Sequence, residues 1–152
     1  MQLTHTSPAE ITKIDTNGRY GEFLFFSAGE YVMTAGSHIA YTIELDEAEV
    51  IRAGALFYHD DAEKLSGLVA EVAGRFDIDE NIAEALIEES KSIYDIDSNV
   101  DAEDMGEASW DIQHYTARAA KLLGFRAVAV SDEQGTAYLV DMLGREADLV
   151  KA

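Results

Sequence analysis

Two adjacent carboxylates, Asp132 and Glu133, stand between two apolar runs in the segment "AVAVSDEQGTAYLVDM". The segment predicts a β-hairpin, and Gln134-Gly135 would suffice to turn it, because a tight turn needs little more than a glycine and one turn-forming neighbour. Neighbouring carboxylates repel each other, so they are either solvated or used in chemistry. A carboxylate can stabilise a developing positive charge, or can take the proton of an incoming nucleophile.

A histidine near the start of the chain is the second candidate for chemistry. His5 lies in "LTHTS", an extended stretch that leads into a helix predicted by the N-cap Ser7 and by Pro8 at the first helical position. The other histidines are His38, His59 and His114. None of the four forms the H-E-x-x-H or close H-x-H pattern of a zinc site, so we expect no metal. Taken alone, His5 also fits a buried histidine that is hydrogen-bonded within the core.

An aromatic segment, "YGEFLFFSAGEYVMTAG", supplies the third set of candidates. Its pattern predicts a strand that carries Phe25 and Phe26, followed by a short helix with Ser27 and Tyr31 near its start. Successive side chains of a strand point to opposite faces, so only one of the two phenylalanines can line a given cleft. The simpler interpretation is that both rings belong to the core. The chain has no glycine-rich phosphate loop and no G-x-S-x-G nucleophile motif.

The elements that must position these residues follow an α+β order. Strands are predicted at "EFLFFS", at "AYTIEL" and on both sides of the acidic pair. Between them, amphipathic helices are predicted at "DDAEKLSGLVAEVAGRF", "DENIAEALIEES" and "ASWDIQHYTARAAKLLG". The predicted buried face of the last helix is Ile112, Tyr115, Ala119 and Leu122, and Gly124 is its predicted end. No linker-like segment divides the chain, so we expect one domain over residues 1–152.

Composition limits the classes of partner. The 152 residues carry 30 acidic and 11 basic side chains, which gives a formal net charge of -19. Such a chain is poorly suited to bind a phosphate backbone directly, and its acidity either favours a basic protein partner or only maintains solubility. Cysteine is absent, which excludes disulfides and thiolate chemistry, and no apolar run is long enough to span a bilayer. Nothing in the sequence indicates an oligomeric state.

Taken together and in this order, "LTHTS", "YGEFLFFSAGEYVMTAG" and "SDEQGTAYLVD" resemble the histidine-first branch of the ADP-ribosyltransferase fold. In that fold a strand histidine, an aromatic strand–helix unit and a late acidic residue enclose NAD. Over most of its length the chain is also similar to small phage-borne ADP-ribosyltransferases that act as anti-CRISPR proteins against type I-F surveillance complexes. This likeness is carried by "LTHTSPAEITKIDTNGRYGEFLFF", "DENIAEALIEES" and "SWDIQHYTARAAKLLGFRAVAVSDEQGT". The resemblance implies an ADP-ribosyltransferase-like α+β fold, with split small β-sheets and an intervening helical region.

The resemblance also implies which residues bind NAD. The strand histidine would hydrogen-bond the nicotinamide ribose, and the residue after it is threonine where the family often has glycine. An aromatic ring of the next strand would pack against nicotinamide, with polar contacts at the rim of the cleft. At these positions the chain has His5 and Thr6, then Phe25 and Phe26, then Ser27 and Tyr31.

For the catalytic carboxylate, the resemblance favours one member of the acidic pair. Asp132 aligns with the carboxylate of the anti-CRISPR relatives, whereas the wider fold usually has glutamate, which leaves Glu133 as the alternative. Breaking the bond between nicotinamide and ribose builds positive charge on the sugar, and a nearby carboxylate would stabilise it. NAD brings its own leaving group, so the reaction requires no metal.

The resulting prediction is a mono-ADP-ribosyltransferase of viral or prophage origin that uses NAD as co-substrate. Its expected partner is a Cas subunit of a type I CRISPR surveillance complex in the cytoplasm of the host bacterial cell, and its modification would block recognition of target DNA. Two alternatives stay open. The chain could be a non-catalytic acidic protein that blocks a nucleic-acid-binding partner by charge mimicry, or a domain of the same fold that only binds or hydrolyses NAD.

Overall fold

The computed structural model describes residues 1–7, 23–27, 39–132, 135–143 and 145–151; for Thr6, Ser7, Ser131, Asp132, Gly135 and Glu146 it describes the backbone. The described strands form a seven-stranded sheet in the order β4-β5-β6-β2-β1-β3-β7. In chain order they are β1 (Gln2–Ser7), β2 (Phe23–Ser27), β3 (Ile39–Glu44), β4 (Val50–Arg52), β5 (Ala127–Asp132), β6 (Gly135–Asp141) and β7 (Val150–Lys151). The predicted strands at "EFLFFS" and "AYTIEL" and the predicted hairpin are confirmed.

The pairing is antiparallel except between β4 and β5, which run parallel. Phe23 to Ser27 of β2 pair along their whole length with 141 back to 137 of β6. β1 pairs with β3 from Gln2–Glu44 to Ser7–Ile39, whereas its pairing with β2 is at Thr4 and Ser27. The expected split into small sheets is therefore reduced to a narrow seam between β1 and β2, because the hydrogen-bonded order continues across it.

The intervening helical region is also confirmed. It lies between β4 and β5 and contains the α-helices α1 (Ser66–Phe76), α2 (Glu80–Ile87) and α3 (Met105–Leu122). Short 3-10 helices connect the elements at Glu47–Glu49, Ala53–Tyr58, Ala62–Leu65, Ile93–Asp95, Ala102–Asp104 and Glu146–Asp148. The helices expected after Ser7 and after Ser27 fall outside the described residues. Within the described ranges, no helix combines the length and the apolar character needed to cross a bilayer.

Two apolar clusters lie on opposite faces of the sheet. The larger, the helix-side cluster, joins α1, α2 and α3 to alternate residues of β5 and β6, such as Val128, Val130 and Leu139. The smaller, the histidine-side cluster, contains Leu3, Phe26, Ile43, Leu45, Ala127, Val140 and Met142. Because successive strand residues point to opposite faces, β2, β4, β5 and β6 each contribute to both clusters.

Helical periodicity predicts the helix-side core with one error. In α3, Ile112, Tyr115 and Ala119 are buried as predicted, but Leu122 is 48% exposed and Leu123 is buried instead. An α-helix has 3.6 residues per turn, so Leu123, four residues after Ala119, lies closer to the direction of Ala119 than Leu122, three residues after it. Leu123 therefore returns to the buried face. Gly124 ends the helix as predicted, with a φ of 90° that suits glycine better than any other residue.

Candidate functional site

His5 lies on an inner strand, where alternation fixes the face that it shares. In β1, Leu3 and His5 point to the same side, and Leu3 belongs to the histidine-side cluster. Across the ladder, His5 is opposite Tyr41 of β3, which is itself buried. His5 is half-buried, between this neighbour and the seam with β2.

A backbone carbonyl fixes the tautomer of His5. The Nδ1 atom of His5 lies 2.7 Å from the carbonyl oxygen of Phe25, across the seam. A carbonyl only accepts, so Nδ1 carries the proton and donates it. Burial lowers the pKa of His5 below its ordinary value of 6.5, and the bond to Phe25 opposes that shift only in part. The ring is therefore neutral at pH 7, and its Nε2 atom is a hydrogen-bond acceptor.

The two phenylalanines of β2 occupy opposite faces. The ring of Phe26 is 5.5 Å from the imidazole of His5, measured between ring centroids, at an interplanar angle of 50°. Phe25 packs instead against the helix-side cluster. Phe26 thus shares the face of His5, but its side chain is 0% exposed, so it supports the imidazole rather than presenting a surface. Sequence alternation predicts one phenylalanine per face, and the structure assigns Phe26 to His5.

Two of the remaining residues expected to bind NAD lie at the ends of β1 and β2. Ser27 is opposite Ala137 of β6 and Thr4 of β1, on the face of Phe25, and is half-buried. The backbone of Thr6 is opposite Ala40 in β3. Tyr31 lies outside the described residues. Ser27 and Thr6 are therefore close to the seam, while Phe25 meets His5 through its backbone carbonyl and Phe26 through its ring.

The acidic pair marks the end of β5. The backbone of Asp132 is opposite Gly135, the first residue of β6, and Glu133 lies outside the described residues. Strands β2 and β6 lie between the strand of His5 and the strand of Asp132. Across the sheet, His5 is in line with Phe26 of β2, Tyr138 of β6 and Ala129 of β5. Asp132 comes three residues after Ala129 and is therefore nearer the hairpin. The two candidates are on one sheet but are not cross-strand neighbours.

Two tyrosines in the cross-strand row of His5 were not predicted from the sequence. Tyr41 is opposite His5, and Tyr138 of β6 is opposite Phe26, so these residues form one row across β3, β1, β2 and β6. Tyr138 packs partly buried against the histidine-side cluster. Strand alternation carries this signal only once the register of the sheet is known, since the four strands are far apart in the chain.

Of the other histidines, two have structural surroundings. The Nδ1 atom of His59 accepts the backbone N–H of Asp61 at 3.0 Å, and its ring meets the ring of Phe125 edge to face. His114 meets Phe23 in the same way, with 5.7 Å between ring centroids. His38 lies outside the described residues. His5 is therefore the described histidine that combines a fixed tautomer with an inner strand position beside the seam.

A neutral histidine on an inner strand, an aromatic ring against it and an acidic residue at the end of a later strand are the features of the ADP-ribosyltransferase class. Comparison with known proteins gives the family. The family model described as "Anti-CRISPR Type I-F ADP-ribosyltransferase AcrIF11" matches residues 1–146, and the chain belongs to that family. The predicted enzyme class and the predicted anti-CRISPR function are thereby confirmed.

The solved structures agree with this assignment. The chain is similar to a protein described as "Crystal structure of an anti-CRISPR protein", with 27% sequence identity and a TM-score of 0.57. The match covers 92% of this chain and 88% of that one. The search of curated protein sequences gave no match. ADP-ribosyltransferases take ADP-ribose from NAD, so the family implies NAD as the co-substrate, and the anti-CRISPR family acts on a CRISPR–Cas complex.

Proposed function

We propose that the chain binds NAD beside His5 and transfers ADP-ribose to a Cas subunit of a type I-F surveillance complex in the host bacterial cytoplasm. The family match supports the reaction class. The observation that carries the proposal is the state of His5, whose Nδ1 donates to the Phe25 carbonyl and whose burial lowers its pKa. This arrangement leaves Nε2 to accept a hydroxyl group, which is what binding of the nicotinamide ribose requires.

A neutral histidine suits this ligand for an electrostatic reason. The nicotinamide ring of NAD carries a positive charge, and an imidazolium next to it would repel it. His5 avoids that repulsion, since burial disfavours its charged form. In the proposed role, Nε2 accepts a hydrogen bond from a ribose hydroxyl and thereby holds the sugar. Phe26 keeps the imidazole plane in place.

The carboxylate of the later strand has the complementary role. NAD supplies the ADP-ribose, and nicotinamide leaves with the electron pair of the bond to the ribose carbon. Asp132 would stabilise the positive charge on that carbon and take the proton of the attacking acceptor group. The backbone of Asp132 pairs with Gly135 at the end of β5, which gives this candidate its place beside the hairpin, and Glu133 stays the alternative.

The consequence for the target follows from charge. An attached ADP-ribose adds two phosphates to a protein surface. If that surface holds target DNA, the added bulk and negative charge oppose the phosphate backbone that should bind there. Inhibition by one modification per complex needs no lasting contact between the enzyme and its target.

The experiment that tests the proposal compares two histidines. Wild-type protein, His5→Gln and His59→Gln are titrated with NAD by calorimetry, and nicotinamide release is measured with and without a type I-F surveillance complex. We expect His5→Gln to weaken NAD binding about tenfold, as loss of one hydrogen bond to a buried partner would. His59→Gln, the matched control, should bind NAD as the wild type does.

The other outcomes have clear meanings. NAD binding by the wild type without nicotinamide release, even with the complex present, would indicate a domain that binds NAD without transferring ADP-ribose. No binding at millimolar NAD would contradict the proposal and favour the acidic protein that acts by charge mimicry. Equal losses in both histidine variants would show that His5 has no special role.

A further inference from the structure

Two exposed aromatic side chains lie together near the start of α3. Tyr94 is 63% exposed and Trp110 is 47% exposed. A Cβ atom built on Gly106 would lie 4.0 Å from the Tyr94 hydroxyl, so Tyr94 lies over the first turn of the helix. Trp110 is four residues after Gly106 and therefore on the same helix face, one turn further on. Exposed neighbouring aromatic rings of this kind are typical of protein interfaces.

The segment that carries this pair is acidic. From 94 to 111 the sequence contains no lysine or arginine. Carboxylate oxygens of Asp101, Glu103 and Asp104 all lie within 4.8 Å of one another. Asp111 is paired with Arg75 of α1, and the other carboxylates of the segment are exposed. We call Tyr94, Gly106 and Trp110, with the exposed acidic residues of the same segment, the aromatic–acidic surface; its acidic members are Asp95, Asp97, Asp101, Glu103, Asp104 and Glu107.

The aromatic–acidic surface lies towards the same end of the sheet as the acidic hairpin. α3 packs against β5, and the two are joined by residues 123–126 alone. A connection this short makes the strand run back along the helix. The start of α3, at Met105, is therefore at the end of the sheet where β5 finishes with Asp132. A partner held at this surface would be near the hairpin that carries the catalytic carboxylate proposed above.

We propose that the aromatic–acidic surface docks an arginine- and lysine-rich face of the CRISPR–Cas complex, a face built to hold nucleic acid. This inference rests on the proposed function, since it names the surface that selects the target. An arginine guanidinium can stack on Trp110 or Tyr94 and at the same time pair with a neighbouring carboxylate. Both contacts are possible together only because the aromatic and acidic side chains belong to one surface. Nucleic acid itself is repelled by the same charges. Opposite charges also raise the rate of encounter.

Binding without NAD tests the docking surface apart from the chemistry. The full chain and its variants are applied to immobilised type I-F surveillance complex, and dissociation constants are measured by biolayer interferometry. We expect Trp110→Ala to weaken binding roughly 10- to 30-fold and Tyr94→Ala several-fold, as interface hot spots do. The matched control is Tyr58→Ala. Tyr58 is 86% exposed at the end of the 3-10 helix Ala53–Tyr58, outside this surface, and its loss should change the constant less than about twofold.

A second pair of variants separates local charge from total charge. Glu103 and Glu107 occupy the first turns of a 3-10 helix and of α3, and Glu63 and Glu80 occupy the first turns of a 3-10 helix and of α2. The double variants E103K/E107K and E63K/E80K thus change net charge and helix-end electrostatics equally. We expect E103K/E107K to weaken binding more than about tenfold and to flatten its salt dependence, and E63K/E80K to weaken it only a few-fold.

Three outcomes would overturn the docking proposal: wild-type affinity in both Trp110→Ala and Tyr94→Ala, equal losses in the two double variants, or no binding of wild-type protein to the complex. Thermal melting of every variant excludes loss of fold as the cause. Failure of the proposed function would give a different result. In that case wild-type protein would bind the complex through this surface and yet release no nicotinamide from NAD. Basal nicotinamide release by Trp110→Ala should equal that of the wild type.

Discussion

The two faces of the sheet are built from the same strands but have different contents. On the helix side, α1, α2 and α3 cover apolar residues, and the buried hydroxyl of Thr116 donates within the helical layer, to the carbonyls of Ile87 and Ile112. A histidine of α3, His114, also lies on this side, edge to face with Phe23. On the other face, a titratable ring, His5, lies between Tyr41 and Phe26. The covered apolar face stabilises the fold, while the second face holds the histidine that we propose binds NAD. The difference predicts that substitutions on the two faces change different properties.

The largest effect should come from the carboxylate at the end of β5. Asp132→Asn keeps the shape of the side chain and removes its charge. We expect nicotinamide release to fall about 100- to 1,000-fold, as loss of one electrostatic stabiliser does elsewhere, with an unchanged Tm. Glu133→Gln is the matched variant, measured in the same assay. A greater loss in Glu133→Gln would transfer the catalytic role to Glu133.

In the interior of the helix-side cluster, the expected effect is on stability alone. Leu86 of α2 is 1% exposed, and Leu86→Ala should lower the free energy of unfolding by about 2–5 kcal/mol, because it leaves a cavity. Leu122→Ala, at the exposed end of α3, removes the same atoms and should cost less than about 1 kcal/mol. Urea denaturation measures both. A loss of nicotinamide release per folded molecule in Leu86→Ala would break the proposed separation of the two faces.

On the histidine face, pH should act through His5. Because burial lowers its pKa below 6.5, NAD affinity should stay constant from pH 8 to 6.5 and fall only at lower pH, where the imidazolium repels nicotinamide. His5→Gln should lack this fall in calorimetric titrations. Stability follows the same sign. The unfolded chain protonates at higher pH than the folded protein, so the contribution of neutral His5 is complete above pH 6.5 and is lost as pH falls towards the folded pKa.

The smallest effect belongs to the surface of the helical layer. Glu71 of α1 accepts from Arg118 of α3 at 2.7 Å, and this hydrogen bond is the main cause of its lowered pKa. Both side chains are largely solvated, so Glu71→Gln should change the free energy of unfolding by less than about 0.5 kcal/mol. Any loss should shrink as pH falls, since protonation of wild-type Glu71 weakens the same bond. A change above 1 kcal/mol would mean that this pair stabilises the packing of α1 on α3.

The sequence predicts the helix face better than the histidine face, for physical reasons. Periodicity identifies a buried stripe along α1 or α3 from local spacing, and it errs only at Leu122, in the last turn. β4 and β7 are three and two residues long, too short for an alternating pattern, and both were missed. In a sheet, neighbours depend on register between distant segments, so Tyr41 and Tyr138 could not be placed in the cross-strand row of His5 in advance.

The site itself was accessible from the sequence only in part. Resemblance to a family identified His5 as a candidate, because a single histidine in a strand has no signature of its own. The group that fixes its tautomer is the backbone carbonyl of Phe25, and a carbonyl belongs to every residue. No pattern of side chains could therefore have indicated that His5 is held neutral. The same holds for the narrow seam at Thr4 and Ser27, which depends on how two distant strands meet.

The pairing of β2 with β6 has a consequence for how the protein is made. It joins residues 23–27 to residues 137–141, so a chain emerging from the ribosome carries its N-terminal strands unpaired on this edge until almost all of it has been synthesised. The contacts among α1, α2 and α3 are closer in sequence and can form first. The strand of His5 and the strand of Asp132 are thus joined last, and an incomplete chain that ends before residue 137 should already have helices but no continuous sheet between the two strands.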